Sequence, residues 1–190
     1  MAISFIGLIF FALPIAFISF SIKMTSRGPI IFSQLRVGKN GKLFRLYKFR
    51  TMKVDLSPSL SITIAGDKRI TSFGRFLRKW KVDEIPQLWN IIRGQMSLVG
   101  PRPDVPGYAD RLKGTECRIL DLRPGITGPA TIKYANEEEI LAEAADPVKL
   151  NDEVIFPDKV RMNLDYMKNC TFLNDVRYLL QTFGLILKKH

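Results

Sequence analysis

The first 22 residues, MAISFIGLIFFALPIAFISFSI, contain no charged side chain and no polar face. As a helix rising ~1.5 Å per residue they would reach about 33 Å, enough to cross the hydrocarbon of a bilayer. Pro14 removes a backbone donor in the middle and breaks or kinks such a helix. A kinked spanning helix and a broken re-entrant one both accommodate this pattern. A secretory signal peptide does not, because there is neither a basic leader nor a small-residue cleavage site. Lys23, Arg27 and Arg36 follow, which places the C-terminal side of the segment in the cytosol.

After the apolar run the pattern changes to alternation. Two β-rich stretches within Ile30–Met52 flank Gly38-Lys39-Asn40-Gly41, which predicts a hairpin. Residues 53–67 read as a loop. Arg69 to Lys81 has apolar residues at helical spacing beneath a dense basic face, as in an amphipathic helix on a membrane surface. A helix is expected over Asp83–Gly94, with Asp83 near its N-cap, Pro86 in its first turn and Gly94 closing it. A short acidic helix follows at Glu137–Ala145, and one or two amphipathic helices fill Asp158–Lys189. The fold class is α+β, predominantly helical. Residues 1–22 are expected to form a membrane-inserted segment and residues 23–190 a cytosolic, membrane-associated domain.

Charge and composition narrow the chemistry. The net charge is +11 over 190 residues, and it is concentrated at the front: Met1 to Val82 holds 15 Lys and Arg against only Asp55 and Asp67. Such a surface suits an anionic partner, whether membrane, nucleic acid or phosphorylated substrate. The only histidine is His190 and there are two cysteines, Cys117 and Cys170. Histidine-based nucleophile pairs and histidine- or cysteine-ligated metals are therefore excluded. Carboxylates, basic residues and hard cations remain.

Three constellations fit that remainder. Asp83 and Glu84 are the first acids after Arg75, Arg78, Lys79 and Lys81. Taken alone they read as helix-capping residues. Amid those cations a carboxylate stays ionised, able to attack a phosphoryl group or hold magnesium. Gly100-Pro101-Arg102-Pro103 stiffens the backbone around one arginine, and Arg123-Pro124-Gly125-Ile126-Thr127-Gly128 repeats the theme with glycines that let backbone amides approach a ligand. Together they make a plausible phosphate site.

The order of these motifs resembles the bacterial sugar transferases, the monotopic phosphoglycosyl transferases acting on polyprenol phosphate. The resemblance runs through the N-terminal hydrophobic helix, SRGPIIFSQLRVGKNGKLFRLYKFRTM, GRFLRKWKVDEIPQLWNIIRGQMSLVGPRP, LRPGITG and VRMNLDYMKNCTFLNDVRYLLQT, nearly the whole chain. It implies that Asp83 attacks the β-phosphate of a UDP-sugar, releasing UMP and leaving a covalent phosphosugar. Polyprenol (undecaprenyl) phosphate would then take the phosphosugar, with Glu84 as the dyad partner. It implies Mg²⁺ at Asp83 and Glu84, and phosphate binding by Arg78, Arg102 and Arg123. It also implies a re-entrant N-terminal helix and a location at the cytosolic face of the bacterial inner membrane. The family usually carries a basic stretch before the helix and Ser-Pro at its break; this chain begins inside the apolar run and has Leu13-Pro14. The expected partners are a UDP-sugar, polyprenol phosphate and membrane lipid, and not nucleic acid. A membrane-anchored nucleic-acid binder or a scaffold without catalysis would leave Asp83, Glu84, Arg102 and Arg123 unexplained.

Overall fold

In a computed structural model of the protein, residues 12–54 and 65–188 are described, so half of the apolar segment and most of the loop before Asp67 lie outside the described residues. Helix α1, Ala12–Thr25, is the described part of the apolar segment. It runs three residues past Ile22, to Thr25, with Ser21 and Thr25 returning their hydroxyls to the carbonyls of Phe17 and Ser21. Pro14 lies in its first described turn. The expected break with the residues before it therefore falls outside the described residues. Among those residues no helix is long and apolar enough to cross a membrane.

The hairpin forms as expected. Strands β1 (Ile31–Val37) and β2 (Leu43–Phe49) pair antiparallel from Ile31 opposite Phe49 to Val37 opposite Leu43. The turn between them has Asn40 and Gly41 at φ 55° and 71°, conformations that asparagine and glycine tolerate best. Strand β2 is the spine of the domain. Phe44 and Leu46 point one way, into a cluster with Ile91 and Met96. Phe49 points the other way, packing with Ile18 and Ile22 of α1 and with Leu77. Leu77 belongs to α2, Ser72–Lys79, capped by the Thr71 hydroxyl accepting from the Gly74 amide. Gly74 lets this helix lie on the Thr51 backbone: a Cβ there would stand 2.0 Å from the Thr51 carbonyl oxygen.

The helix expected over 83–94 is shorter, and Asp83 does not cap it. Lys81 adopts a left-handed conformation (φ 55°), and Val82–Glu84 form a 3₁₀ turn. Pro86 lacks an amide proton, so the helical ladder starts after it, and α3 covers only Gln87–Ile92, closed by Gly94 at φ 70°. The 3₁₀ turn aims both acids inward.

The chain then makes a second sheet that the sequence pattern does not announce: β3 (Ser97–Val99) and β4 (Gly125–Thr127), three residues each and parallel. Helices α4 (Pro129–Lys133), α5 (Glu137–Ala142) and α6 (Pro147–Leu150) follow. One π-helical stretch, Asn151–Ile155, leads into α7, Phe156–Lys168. Val160 of α7 closes a third cluster with Val37, Ala109 and Ile119. Helix α8, Phe172–Lys188, buries no residue. It is tied down by Tyr166 donating to Asp175 and by a 2.6 Å hydrogen bond between Thr182 and Thr127. The expected α+β class with a helical majority and one antiparallel hairpin is what the described residues form.

Candidate active site

The 3₁₀ turn drives Asp83 and Glu84 against the spine strand, where each is only 6% exposed. Buried carboxylates need partners. Glu84 finds two on one oxygen: Lys48 Nζ donates to Oε1 at 2.8 Å and an Arg102 Nη at 2.9 Å. Burial pushes the Glu84 carboxyl up, but Arg102 and Lys48 outweigh it and hold the group well below the ordinary carboxylate range. Glu84 in turn raises Arg102 further above its ordinary value. Burial lowers Lys48, with Glu84 opposing.

Asp83 is different. Its Oδ1 is buried and has no hydrogen-bond partner. Burial raises its carboxyl pKa and Glu84 raises it further, against the pull of Lys48, Lys81 and Arg78. The turn thus holds one carboxylate doubly engaged on a single oxygen beside one whose buried oxygen has no partner.

Around the pair the cations converge. Arg36, Lys48, Arg102 and Gln87 line a small cleft. Arg36 of β1 donates to the Pro103 carbonyl at 3.1 Å, which fixes the turn that carries Arg102. Burial and the neighbouring Arg102 lower the Arg36 guanidinium to about 10. Three cations on one small cavity, with a single ion-paired carboxylate between them, leave a surplus of positive charge for an anion.

Of the residues singled out from the sequence, Glu84 and Arg102 are in direct contact, with Asp83 beside Glu84 on the same turn. Arg78 reaches the Thr51 hydroxyl through Nε at 3.0 Å and pairs with Glu138 at 3.0 Å, and its charge acts on Asp83. Arg123 is exposed and lies just before β4; its carbonyl accepts from the Ser97 hydroxyl. Its side chain makes no ion pair among the described residues.

The glycines of the two arginine motifs do something other than open the backbone to a ligand. They close the motifs on each other. A Cβ on Gly125 would lie 2.2 Å from the Gly100 amide nitrogen, one on Gly100 2.4 Å from the Arg123 carbonyl oxygen, and one on Gly128 2.5 Å from the Gly100 carbonyl oxygen.

No sequence motif marks Lys48 or Gln87 as site residues, and Arg36 counts in the sequence only toward membrane orientation. A signal for Lys48 existed: it continues the Phe44, Leu46 alternation, so a lysine occupies the buried face of a strand. Asn90 belongs with them. Fully buried, it takes the Tyr47 amide at 3.2 Å and gives to the Arg45 carbonyl at 2.7 Å. It thereby stands in for a third strand on the edge of β2 that β1 leaves open. That bond seats α3, and with it the acidic turn, beside Lys48.

The family model described as bacterial sugar transferase matches residues 1–189. The chain is 35% identical over 172 residues to the galactosyl transferase CpsE of Streptococcus agalactiae, covering 84% of this chain and 35% of that protein. It is 34% identical over 178 residues to the undecaprenyl-phosphate galactose phosphotransferase of Salmonella typhimurium, covering 85% and 34%. It is 34% identical over 170 residues to the UDP-N-acetylgalactosamine-undecaprenyl-phosphate N-acetylgalactosaminephosphotransferase of Aeromonas hydrophila, covering 87% and 37%. The chain spans about a third of the length of these relatives. With that family model matched over residues 1–189, the chain belongs to the bacterial sugar transferase family.

Proposed function

We propose that the protein moves a phosphosugar from a UDP-sugar to undecaprenyl phosphate through a covalent intermediate on Asp83. The observation that carries this reading is the unpartnered, buried Oδ1 of Asp83 beside a Glu84 already engaged by Lys48 and Arg102. An aspartate held in place without a hydrogen bond on its attacking oxygen is a ready nucleophile. In the first step an Asp83 oxygen forms a bond to the β-phosphorus, the bridging P–O bond to the α-phosphate breaks, and UMP leaves with the electron pair. In the second step an oxygen of the lipid phosphate attacks the same phosphorus, and the bond to Asp83 breaks.

Glu84 supports the reaction by holding Lys48 and Arg102 where phosphate oxygens gain charge, an arrangement in place before substrate arrives. Arg78 and Arg123 would complete the grip. An incoming diphosphate would take Arg78 from Glu138, whose side chain is 49% exposed and held by little else. The residues also suit Mg²⁺: the free Asp83 oxygen is a hard anionic donor, and Glu84 offers a second carboxylate. Among the described residues no third acidic, histidine or cysteine side chain joins them, so diphosphate and water would complete the shell. Bound there, Mg²⁺ would neutralise charge building on the diphosphate. Relatives named for galactose and N-acetylgalactosamine support a UDP-hexose donor and leave its identity open.

Membrane attachment belongs to the same reading. Leu13, Phe17, Phe20 and Met24 are 67–84% exposed along one side of α1, while Ile18 and Ile22 face the core. A stripe of that kind suits lipid, and it supports insertion of residues 1–22 as a re-entrant segment at the cytosolic face of the bacterial inner membrane. An acceptor headgroup at that interface would lie near the acidic pair.

The test is UMP release from a panel of UDP-sugars by the full chain with undecaprenyl phosphate. Asp83→Asn should abolish it, and intact-mass measurement without acceptor should show a phosphosugar on Asp83 of the wild type. Release by the Asn variant, or an adduct on another residue, would overturn the mechanism.

A further inference from the structure

Arg102 borders two cavities. One is the cation-lined space beside Glu84. The other is a cleft on the same turn; Pro101, Pro103, Leu120, Leu122 and Pro124 supply apolar wall, and Asp104 is the only acid on its lining. The Asp104 carboxylate makes no hydrogen bond or ion pair among the described residues, although its carbonyl holds the Val37 amide at 2.9 Å. Charged groups from four directions act on it: Lys159 of α7, Arg36 of β1, Glu137 of α5 and Arg102 of its own turn. Lys159 is itself fixed by Glu137 at 2.6 Å and stands over the Tyr134 ring at 5.5 Å.

A free carboxylate beside apolar walls, with a fixed ammonium acting on it from a neighbouring helix, is the complement of a sugar ring. The carboxylate accepts from hydroxyls, the ammonium donates to them, and the proline and leucine surfaces meet the C–H face of the ring. The turn sets the distance. Asp104 is two residues from Arg102, with Pro103 stiffening the link, so a ring esterified to a phosphate on Arg102 has one short arm reaching this cavity.

Resting on the reading of Arg102 as a phosphate group's partner, we propose that Asp104, with Lys159, recognises the hydroxyls of a ring carried on that phosphate. The shared chemistry is a vicinal diol; its source is either the transferred hexose or the ribose of the nucleotide. Neither residue belongs to the acidic pair, and neither touches the reacting atoms.

The experiment compares wild type, Asp104→Asn and Lys159→Gln in the full chain, using UMP release with a panel of UDP-sugars that differ at single hydroxyls. Losing one charge-assisted hydrogen bond should raise KM for the preferred donor about tenfold or more, with kcat changed far less. A hexose diol predicts that the preference between C4 epimers shrinks while inhibition by UMP is unchanged. A ribose diol predicts that UMP inhibition weakens by the factor seen in KM, and that 2′-deoxy-UMP inhibits wild type and variant alike. A merely structural Asp104 would alter stability and leave epimer preference and UMP inhibition where they were, which overturns the proposal. Should Asp104→Asn fail to fold, Lys159→Gln decides by the same readouts. A wild type that turns over no UDP-sugar refutes the proposed function and this inference with it. A wild type that turns over, matched by both variants, refutes the inference alone.

Discussion

Two aspartates near the site illustrate how environment sets the behaviour of one side chain. Asp158 accepts from Lys133 at 2.6 Å and from Tyr134 at 2.8 Å, and these hydrogen bonds hold its carboxyl down at about 2. Asp104 has only distant cations, and burial pushes it up to about 6. The signs of linkage are opposite. Asp158 contributes stability that is fully present above the ordinary aspartate value and lost as pH falls toward 2. Asp104 imposes a cost that is fully present above about 6 and disappears as pH falls below the ordinary aspartate value. Denaturant unfolding as a function of pH should therefore show Asp158→Asn flattening the acid-side loss between about pH 4 and 2. Asp104→Asn should be more stable than wild type at pH 8, with the gap closing by about pH 4. A gap that widens on acidification would contradict the placement of Asp104.

At the scale of elements, the least conspicuous contact has the largest consequence. Asn90 joins α3 to the open edge of β2 and also donates to Gln95 at 2.8 Å. Asn90→Ala would leave the Arg45 carbonyl and the Tyr47 amide buried without partners. The expected loss is about 2–4 kcal/mol in denaturant unfolding, together with a drop in turnover as the acidic turn loses its seat. Stability within a few tenths of wild type would show that the edge is satisfied some other way. This contact also marks the limit of what the chain discloses. The hairpin, α2, α5, α7 and α8 are legible because their periods and caps are local. The acidic pair and Arg102 are legible because their residue types are rare in their surroundings. The β3–β4 pair is not, since three residues carry no period and its partners lie 28 positions apart, at Ser97 and Gly125. The inward turn at Val82–Glu84 was hidden too. An Asp-Glu before a proline reads as a helix start, and only the left-handed Lys81 makes it something else.

Across the whole molecule, apolar surface gathers on the terminal helices. Besides the outward stripe of α1, helix α8 exposes Phe172, Leu173, Leu180 and Phe183, each more than 60% accessible. Net positive charge follows a different rule: the 29 cations divide 15 and 14 about residue 82, but only 2 of the 18 acids precede it. Charge in the stripe of α1 should oppose lipid contact: Phe17→Glu with Phe20→Glu is expected to shift the chain from anionic vesicles to the supernatant in flotation, with little change in unfolding because both side chains are exposed. Retention of the double variant on vesicles would place lipid contact elsewhere. Re-entry has its own measurement. With Cys117 and Cys170 replaced by serine and Ala2→Cys introduced, an impermeant thiol reagent should label lysed spheroplasts and not intact ones. The backbone seam at Gly100, Gly125 and Gly128 bears on how such a protein can be re-engineered. With main chain pressed on main chain, neither arginine turn can take even a methyl group, and neither can be exchanged alone. A chimera that imports only the 100–104 turn from another transferase receives one half of a clasp cut for a different mate. Importing 97–104 and 122–128 together, with crossovers placed in the intervening stretch, keeps the halves matched. Donor range should travel between such enzymes as a paired graft, and single-turn swaps should yield insoluble protein.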